Sequence, residues 1–270
     1  GTTSALGALP AGVMVGSLVG DSHAALFGHA GFEPGSIKAT YGTGSSLMMP
    51  TPRQLESDAG LAATVAWGLE STVYALEGNI NVTGAAVQWL ADFVGLDGPE
   101  AVAELAAATP SSDSIYLVPA FVGLGAPHWD DAARGLISGL TRGSSLGQLA
   151  RATIESIAYQ VRDVFDAMQA ASGGGLKLLM ADGGVTRNEQ LMRFQADILG
   201  VPVQRNDTAE LSAMGAAYLA GLASGVWRST DDIAALPRSV ARFEPRMDAD
   251  ERERRYAGWR AAVARTILHQ

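Results

Sequence analysis

The pattern of apolar and polar residues along this chain predicts an α/β fold with a mixed sheet and flanking helices. Between Leu146 and Met168, apolar side chains recur every three or four residues, which is typical of an amphipathic helix. Short runs rich in β-branched and aromatic residues predict strands, the first three forming an antiparallel meander. Predicted strands are Ile37–Tyr41, Leu61–Trp67, Thr72–Glu77, Ile115–Ala120, Leu176–Ala181 and Val201–Arg205. Predicted helices are Ile80–Val94, Ala101–Ala108, Leu146–Met168, a helix carrying Leu191, Phe194 and Ile198, Ala209–Ala223, and Asp248–Leu268.

Several segments between these elements are less regular. Gly and Pro interrupt Phe121–Asp131, which favours a structural loop, with His128 and Trp129 facing a cleft as the alternative. Residues Arg242–Arg246 are expected to be a connector. On the long helix, Glu155 and Arg162 are expected on or near the polar side.

The first twenty residues carry no charge, so a signal or membrane segment has to be considered. No basic residues open the segment, and Pro10 and several glycines interrupt its apolar run. We therefore predict a linker over residues 1–12, followed by a buried strand over Val13–Val19.

Length and composition limit the classes of protein to which the chain can belong. A chain of 270 residues suits one large domain with appendages. The formal net charge of −9 argues against non-specific nucleic-acid binding, although backbone amides could still hold a nucleotide. With no cysteine, the chain fits a cytoplasmic protein, and its four histidines lack metal-ligand spacing, so no metal-ligating residue is assigned. His23 lies near Asp21 and is expected to pack or cap, with a catalytic role left open.

Two features at the start of the fold suggest phosphoryl transfer. Asp21 follows an apolar run, where its carboxylate is placed to accept a proton at the edge of a cleft. The turn Gly42–Ser46 follows a predicted strand, and its glycines allow backbone N–H groups to approach a phosphate. Asp182-Gly183-Gly184 forms a second strand–turn–helix junction suited to a phosphate or ribose, and the Asn188 amide follows it. Taken singly, each of these features is also typical of ordinary turns and caps.

Together with their surroundings, these motifs resemble the C-terminal domain of the FGGY carbohydrate kinases. The matching stretches run in order over nearly the whole chain: GDSHAALFGHAGFEPGSIKATYGTGSS, EGNINVTGAAVQWL, VPAFVGLGAPHWDDAARGLISGLTRG and DGGVTRNEQLMRFQADILGVPV. The resemblance implies an actin-like ATPase domain of the ribonuclease-H type. It also implies ATP and Mg²⁺ as cofactors, a sugar or polyol as substrate, and an N-terminal domain that this chain lacks.

The resemblance assigns roles to individual residues. Asp21 matches the family's catalytic base. Substrate-binding positions are Asp21, Ser22 and Ser46. Positions that match the ATP site are Thr43, Gly44, Gly84, Gln88, Gly183, Gly184 and Asn188. The implied organisation is a linker at 1–12, a nucleotide-binding domain at 13–245 and a terminal helix at 246–270.

The acceptor is left open at this stage. Glycerol kinases carry Gln and Phe where this chain has Ser22 and Ser46, which favours a larger polyol or sugar, with glycerol kinase proper as the alternative. A nucleotide-binding module that is silent without the N-terminal domain is the competing class, and an actin-like chaperone or cytoskeletal domain is weaker. We expect no nucleic-acid or membrane partner and leave a homodimer open.

Overall fold

A computed structural model describes residues 1–4, 10–32, 35–56 and 59–267. Its strands are β1 (Ser36–Tyr41), β2 (Ser45–Thr51), β3 (Ala62–Gly68), β4 (Thr72–Ile80), β5 (Tyr116–Val118), β6 (Leu136–Ser138), β7 (Leu178–Asp182), β8 (Val203–Asn206) and β9 (Val240–Phe243). Its α-helices are α1 (Asp21–Gly28), α2 (Gly84–Val94), α3 (Gly98–Ala108), α4 (Leu146–Ser172), α5 (Glu189–Leu199), α6 (Leu211–Ser224), α7 (Thr230–Ala234) and α8 (Ala249–Thr266). A short 3-10 turn covers Gly184–Arg187.

The main sheet has seven strands in the order β3-β4-β2-β1-β7-β8-β9. Strands β1, β7 and β8 are parallel, whereas β2, β4 and β3 add antiparallel to one side of β1. Strands β5 and β6 form a separate two-stranded sheet. The predicted mixed sheet is therefore confirmed.

Helices cover both faces of the sheet because side chains on β1 alternate between two cores. Ile37, Ala39 and Tyr41 belong to the larger core, which α4 crosses together with α2, α3, α5 and α8. On the opposite face, Phe27 of α1 and Tyr218 of α6 pack with sheet residues such as Met48 and Met180. The terminal helix docks through Tyr256, Trp259 and Val263, as its apolar stripe predicts.

Two expectations about strands are wrong. The antiparallel part has four strands, because β2 was missed: its SSLMMPT sequence has few β-branched residues and a proline. Val13–Val19 is not a buried strand, since Met14 makes only an isolated bridge to Thr2 and Leu18 is 98% exposed. Gly16 interrupts that run, Gly12 and Gly20 flank it, and no strand of the main sheet pairs with it in the described part. Asp21 follows this irregular segment and begins a helix.

Other boundaries also moved. The predicted strand Ile115–Ala120 shrinks to the three residues of β5. The supposed connector Arg242–Arg246 begins inside β9. Ile80 ends β4, so α2 starts only at Gly84.

Glu155 and Arg162 were wrongly expected on a polar helix side. They are 1% and 8% exposed, because α3 and α8 cover α4 on that side. Glu155 accepts hydrogen bonds from Ser112 and Arg151, and Arg162 binds Glu253 of α8.

The chain termini lie partly outside the described residues. Within the predicted linker 1–12, Thr3 pairs with Gly12 and Val13 through backbone hydrogen bonds, while residues 5–9 are not described. The predicted last helix is confirmed to Thr266, and Leu268 and His269 are outside the description. None of the described helices is both long and apolar enough to span a membrane.

Candidate functional site

The turn after β1 is fixed against the start of α2 by backbone hydrogen bonds. Thr43 O accepts from Thr83 N at 2.8 Å and from Ala85 N at 3.2 Å, and Gly42 O accepts from Gly84 N at 3.0 Å. Gly44 lies so close to the end of β4 that a Cβ there would collide with the Ile80 carbonyl oxygen. The sequence thus builds a rigid turn that leaves Gly42 and Thr43 exposed.

A second turn, after β7, meets the first. Gly183 has a φ of 97° and lies against the Tyr41 backbone, where any Cβ would collide with the carbonyl oxygen. A Cβ on Gly84 would lie 3.0 Å from Val185 Cγ2 and 2.8 Å from Gly42 O. The structure therefore brings together three sequence-predicted segments: the β1–β2 turn, the start of α2 and the β7 turn.

Gly184 differs from its neighbours in this cluster. Beyond Gly184 itself and the adjoining backbone, no heavy atom of the described protein lies within 4 Å of the place where its Cβ would be, and its φ is not positive. Packing within the protein therefore gives no reason for a glycine at this position. Because glycine has no Cβ, the space beside Gly184 stays open, and a ligand could approach the backbone closely there.

The position of this cluster in the sheet also suits a ligand. Strands β1 and β7 are parallel neighbours, with Thr40 opposite Asp182, so both turns leave the carboxyl ends of adjacent strands. In open α/β sheets, ligands bind outside the carboxyl ends of the strands.

Three of the predicted nucleotide residues have local roles that need no ligand. Asn188 caps α5, because its Oδ1 accepts from Leu191 N at 3.0 Å. Gln88 is exposed and donates to Asp92 at 2.8 Å. Thr43 holds the turn through its carbonyl, as described above.

Asp21 is the exposed first residue of α1, on the face of the sheet opposite α4. Its Oδ1 accepts from the Ser22 backbone N at 2.7 Å, and its carbonyl accepts from Ser212 Oγ at 3.0 Å. The second carboxylate oxygen makes no hydrogen bond among the described residues. A carboxylate fixed on one oxygen and open on the other is suited to accept a proton.

A polar cluster beneath α1 was not predicted from the sequence. It contains Lys38 on β1, Ser46 on β2, Glu77 on β4 and Asp182 on β7, with His29 at the end of α1. His29 Nε2 lies 2.7 Å from Asp182 Oδ2, and Ser46 Oγ donates to Glu77 Oε1 at 3.3 Å. The sequence signal that identifies Lys38 is a charged residue between the apolar residues Ile37 and Ala39 of a strand.

Burial dominates the electrostatics of this cluster. It lowers the pKa of Lys38 to about 8, although the negative charges of Asp182, Glu77 and Asp21 act in the opposite direction. Burial and the nearby Asp182 raise the pKa of Tyr41 well above its usual range, so that phenol stays protonated and donates to Gln195.

A cavity of about 1010 Å³ lies beside Asp21, and the glycine turns are not among its lining residues. His23 lines it and bonds Thr64 Oγ1 at 3.3 Å. The alternative that His128 and Trp129 face a cleft gains no support. His128 bonds Asp163 at 3.3 Å, and the Trp129 indole N–H donates to the Gly60 carbonyl.

Within the described ranges, no three His, Asp or Glu side chains are grouped closely enough to hold a metal ion.

The core strand order β4-β2-β1-β7-β8, with two glycine turns at the carboxyl ends of parallel strands, defines an actin-like domain of the ribonuclease-H type. Residues 37–224 match the family described as the FGGY family of carbohydrate kinases, C-terminal domain. The chain belongs to that family.

Individual relatives agree with this assignment. The glycerol kinase of Symbiobacterium thermophilum is 53% identical over 263 residues, which cover 95% of this chain and 52% of that protein. Glycerol kinase 2 of Thermotoga maritima is 52% identical over 251 residues, covering 92% of this chain and 51% of that protein. The crystal structure of Plasmodium falciparum glycerol kinase with ADP superposes with a TM-score of 0.86 at 33% identity, covering 97% of this chain and 52% of that one. The chain thus spans about half the length of the relatives it matches.

Proposed function

We propose that this chain is the C-terminal, nucleotide-binding half of an ATP-dependent kinase that phosphorylates a hydroxyl of a small polyol or sugar. The observation that carries the proposal is the convergence of the β1–β2 turn, the start of α2 and the β7 turn around the open position at Gly184. Membership of the FGGY family and similarity to the structure of Plasmodium falciparum glycerol kinase with ADP support it.

The proposed division of the chain follows from this role. Residues 13–245 form the nucleotide-binding domain, residues 1–12 connect it to a preceding domain, and residues 246–270 form the terminal helix. Coverage of about half of each relative supports the presence of a further domain in the whole protein. A cytoplasmic location and a homodimer are further expectations that a cell fractionation and a sedimentation experiment would test.

The residues around Gly184 fit a nucleotide. Thr43 and Gly44 in the first turn, and Gly183 and Gly184 in the second, would lie along its phosphates and ribose, with Gly84, Gln88 and Asn188 at the edge. Mg-ATP, when bound, supplies the phosphoryl group and the charge neutralisation that such transfer needs. Contacts of this kind hold a polyphosphate through backbone amides and so need no basic side chain.

Asp21 is the proposed general base. A new bond forms between the acceptor hydroxyl oxygen and the γ-phosphorus, the bond from that phosphorus to the β-phosphate bridging oxygen breaks, and the hydroxyl proton passes to the Asp21 carboxylate. The hydrogen bond from Ser22 N to Oδ1 orients the carboxylate and leaves Oδ2 for the acceptor.

The acceptor is proposed to be a small polyol, with glycerol the first to test. More than 50% identity to two glycerol kinases favours that branch. Ser22 and Ser46 remain as differences from the Gln and Phe of glycerol kinases, and Ser46 Oγ is already bonded to Glu77. A pocket with a hydroxyl in place of a phenyl ring is more polar, so we include pentitols and ketoses in the assay.

The deciding experiment compares the whole protein with its Asp21→Asn variant. We expect phosphorylation of one acceptor by the parent, a loss of about 10²–10⁴-fold in turnover for the variant, and nearly unchanged affinity for Mg-ADP. Equal turnover in the two proteins would remove Asp21 as the base. A parent that binds Mg-ADP but phosphorylates no acceptor would favour the silent nucleotide-binding module instead.

A further inference from the structure

Lys38 is a buried cation without a close partner. It lies on the α1 side of β1 and is fully buried, and its Nζ makes one long hydrogen bond, 3.5 Å to Ser46 O. Among the described residues no carboxylate forms an ion pair with it. Buried charges are ordinarily paired and hydrogen-bonded, so this arrangement needs an explanation.

Three carboxylates on different elements surround the ammonium at longer range, namely Asp182 of β7, Glu77 of β4 and Asp21 of α1. His29 contacts Asp182 from the end of α1. The Thr40 hydroxyl, opposite both Ser46 and Asp182, is buried and has no hydrogen-bond partner among the described residues. Lys38 is the positive centre of this polar layer, which lies beneath the start of α1 and the β1–β2 turn.

The fold has no evident need for a lysine here. Its neighbours on this face of the sheet include Met48 and Met180, so an unbranched apolar side chain would fit the surrounding core. Burial lowers the pKa of Lys38, and at neutral pH the charged form is therefore held at a cost in stability.

The choice of residue is also unusual for this chain. Of its 19 basic residues only two are lysines, and the other one, Lys177, is exposed. A residue that lowers stability and lies in a candidate site is a candidate for function.

We propose that Lys38 is a positioning residue for phosphoryl transfer, whose buried ammonium acts at longer range on the Asp21 and Asp182 carboxylates and contacts the Ser46 backbone at the cleft. This inference rests on the proposed function. Lys38 is enclosed and does not touch the substrate. Its charge acts through a poorly screened interior on the base that the incoming phosphoryl group would otherwise repel.

The test uses the whole protein with Lys38→Met, and Lys177→Met as the matched control. For each protein we measure the melting temperature at pH 7, the dissociation constant for Mg-ADP, and kcat and KM for the acceptor. We expect Lys38→Met to melt at the same or a higher temperature and to bind Mg-ADP with unchanged affinity. Its kcat should fall at least about tenfold, a loss of about 1.4 kcal/mol in transition-state stabilisation. Lys177→Met should match the parent in every measurement.

If Lys38 had only a structural role, its replacement would change the melting temperature and would not change kcat of the folded protein. If the melting temperature falls and the lost activity follows the unfolded fraction, Lys38 holds the fold and the proposal is wrong. An unchanged kcat in a folded Lys38→Met protein also overturns it. A parent without transfer activity would refute the proposed function and this role together, whereas an active parent with an equally active variant refutes only the role.

Discussion

Two buried charged residues on opposite faces of the sheet, Asp163 and Lys38, differ in how well they are satisfied. Asp163 accepts from Tyr256 at 2.6 Å, from Trp259 at 2.8 Å and lies 3.3 Å from His128. Among the described residues, the Lys38 ammonium makes one hydrogen bond, at 3.5 Å. Asp163 connects α4, α8 and the loop at His128 through short hydrogen bonds. Lys38 makes no comparable set of short hydrogen bonds among the described residues.

This difference separates a structural charge from a functional one. A buried carboxylate with every oxygen bonded stabilises the packing around it, and removing it leaves its donors unsatisfied. A buried ammonium with poor contacts destabilises the fold, so its presence points to chemistry at the cleft.

We expect the largest change in the free energy of unfolding when Asp163 is replaced. Asp163→Ala leaves the Tyr256 hydroxyl and the Trp259 indole N–H buried without an acceptor, and should lower the free energy of unfolding by about 3–5 kcal/mol. Urea denaturation monitored by tryptophan fluorescence measures this change. Asp166→Ala, three residues along the helix and 42% exposed at its side chain, is the control and should change stability by less than about 1 kcal/mol. Similar losses in both variants would contradict a special role for Asp163.

Replacing Lys38 should change the free energy of unfolding in the opposite direction. Lys38→Met should raise the free energy of unfolding at pH 7 by about 3 kcal/mol, because the pKa of Lys38 is lowered from 10.5 to about 8 in the folded state. Between those two pH values the unfolded chain holds the proton that the folded chain has lost, so stability from this group rises with pH. The advantage of the variant should therefore disappear as the pH rises from about 8 to about 10.5. A pH-independent difference would show that burial of the charge is not its cause.

The two adjacent glycines of the β7 turn give a smaller contrast. Gly183→Ala forces a Cβ against the Tyr41 carbonyl at a positive φ, and should cost about 2 kcal/mol or more of stability. Gly184→Ala places its Cβ in open space and should cost less than about 0.5 kcal/mol. Thermal unfolding of both variants checks this, and equal destabilisation would mean that Gly184 is also needed for packing.

Asn188 gives the smallest expected effect and decides between a cap and a ligand contact. Asn188→Ala removes the acceptor for Leu191 N and should cost about 1 kcal/mol, whereas Asn188→Ser retains a capping oxygen and most of that stability. The two variants are then compared in Mg-ADP binding. Weaker binding in both, despite the restored cap in Asn188→Ser, would assign Asn188 to the ligand as well.

Local signals in the sequence were sufficient for much of the fold and for the glycine turns. The helical periodicity of Leu146–Met168 is a short-range pattern, and the structure confirms it. The Gly183-Gly184 turn was recognisable for the same reason, because a strand, a paired glycine and a helix lie next to one another in the chain.

The remaining features depend on contacts between distant segments. Lys38 meets Asp182 only because β1 pairs with β7, and nothing near either residue in the sequence indicates that pairing. The helical period predicted that Arg162 is exposed to solvent, but α8 covers it. The centroid of the Tyr256 ring lies 3.8 Å from the guanidinium carbon of Arg162. The run Val13–Val19 was apolar enough for a strand, yet in the described structure it has no strand of the main sheet beside it.

The central claim is that the open position at Gly184 is part of a nucleotide site, and calorimetric titration with Mg-ADP tests it most directly. The proteins are the parent, Gly184→Val and, as control, Gly68→Val, since Gly68 on the edge strand β3 has equally free space around it. We predict that all three melt at similar temperatures, that the parent and Gly68→Val bind Mg-ADP alike, and that Gly184→Val binds at least about tenfold more weakly. Unchanged binding by a folded Gly184→Val protein would contradict the account.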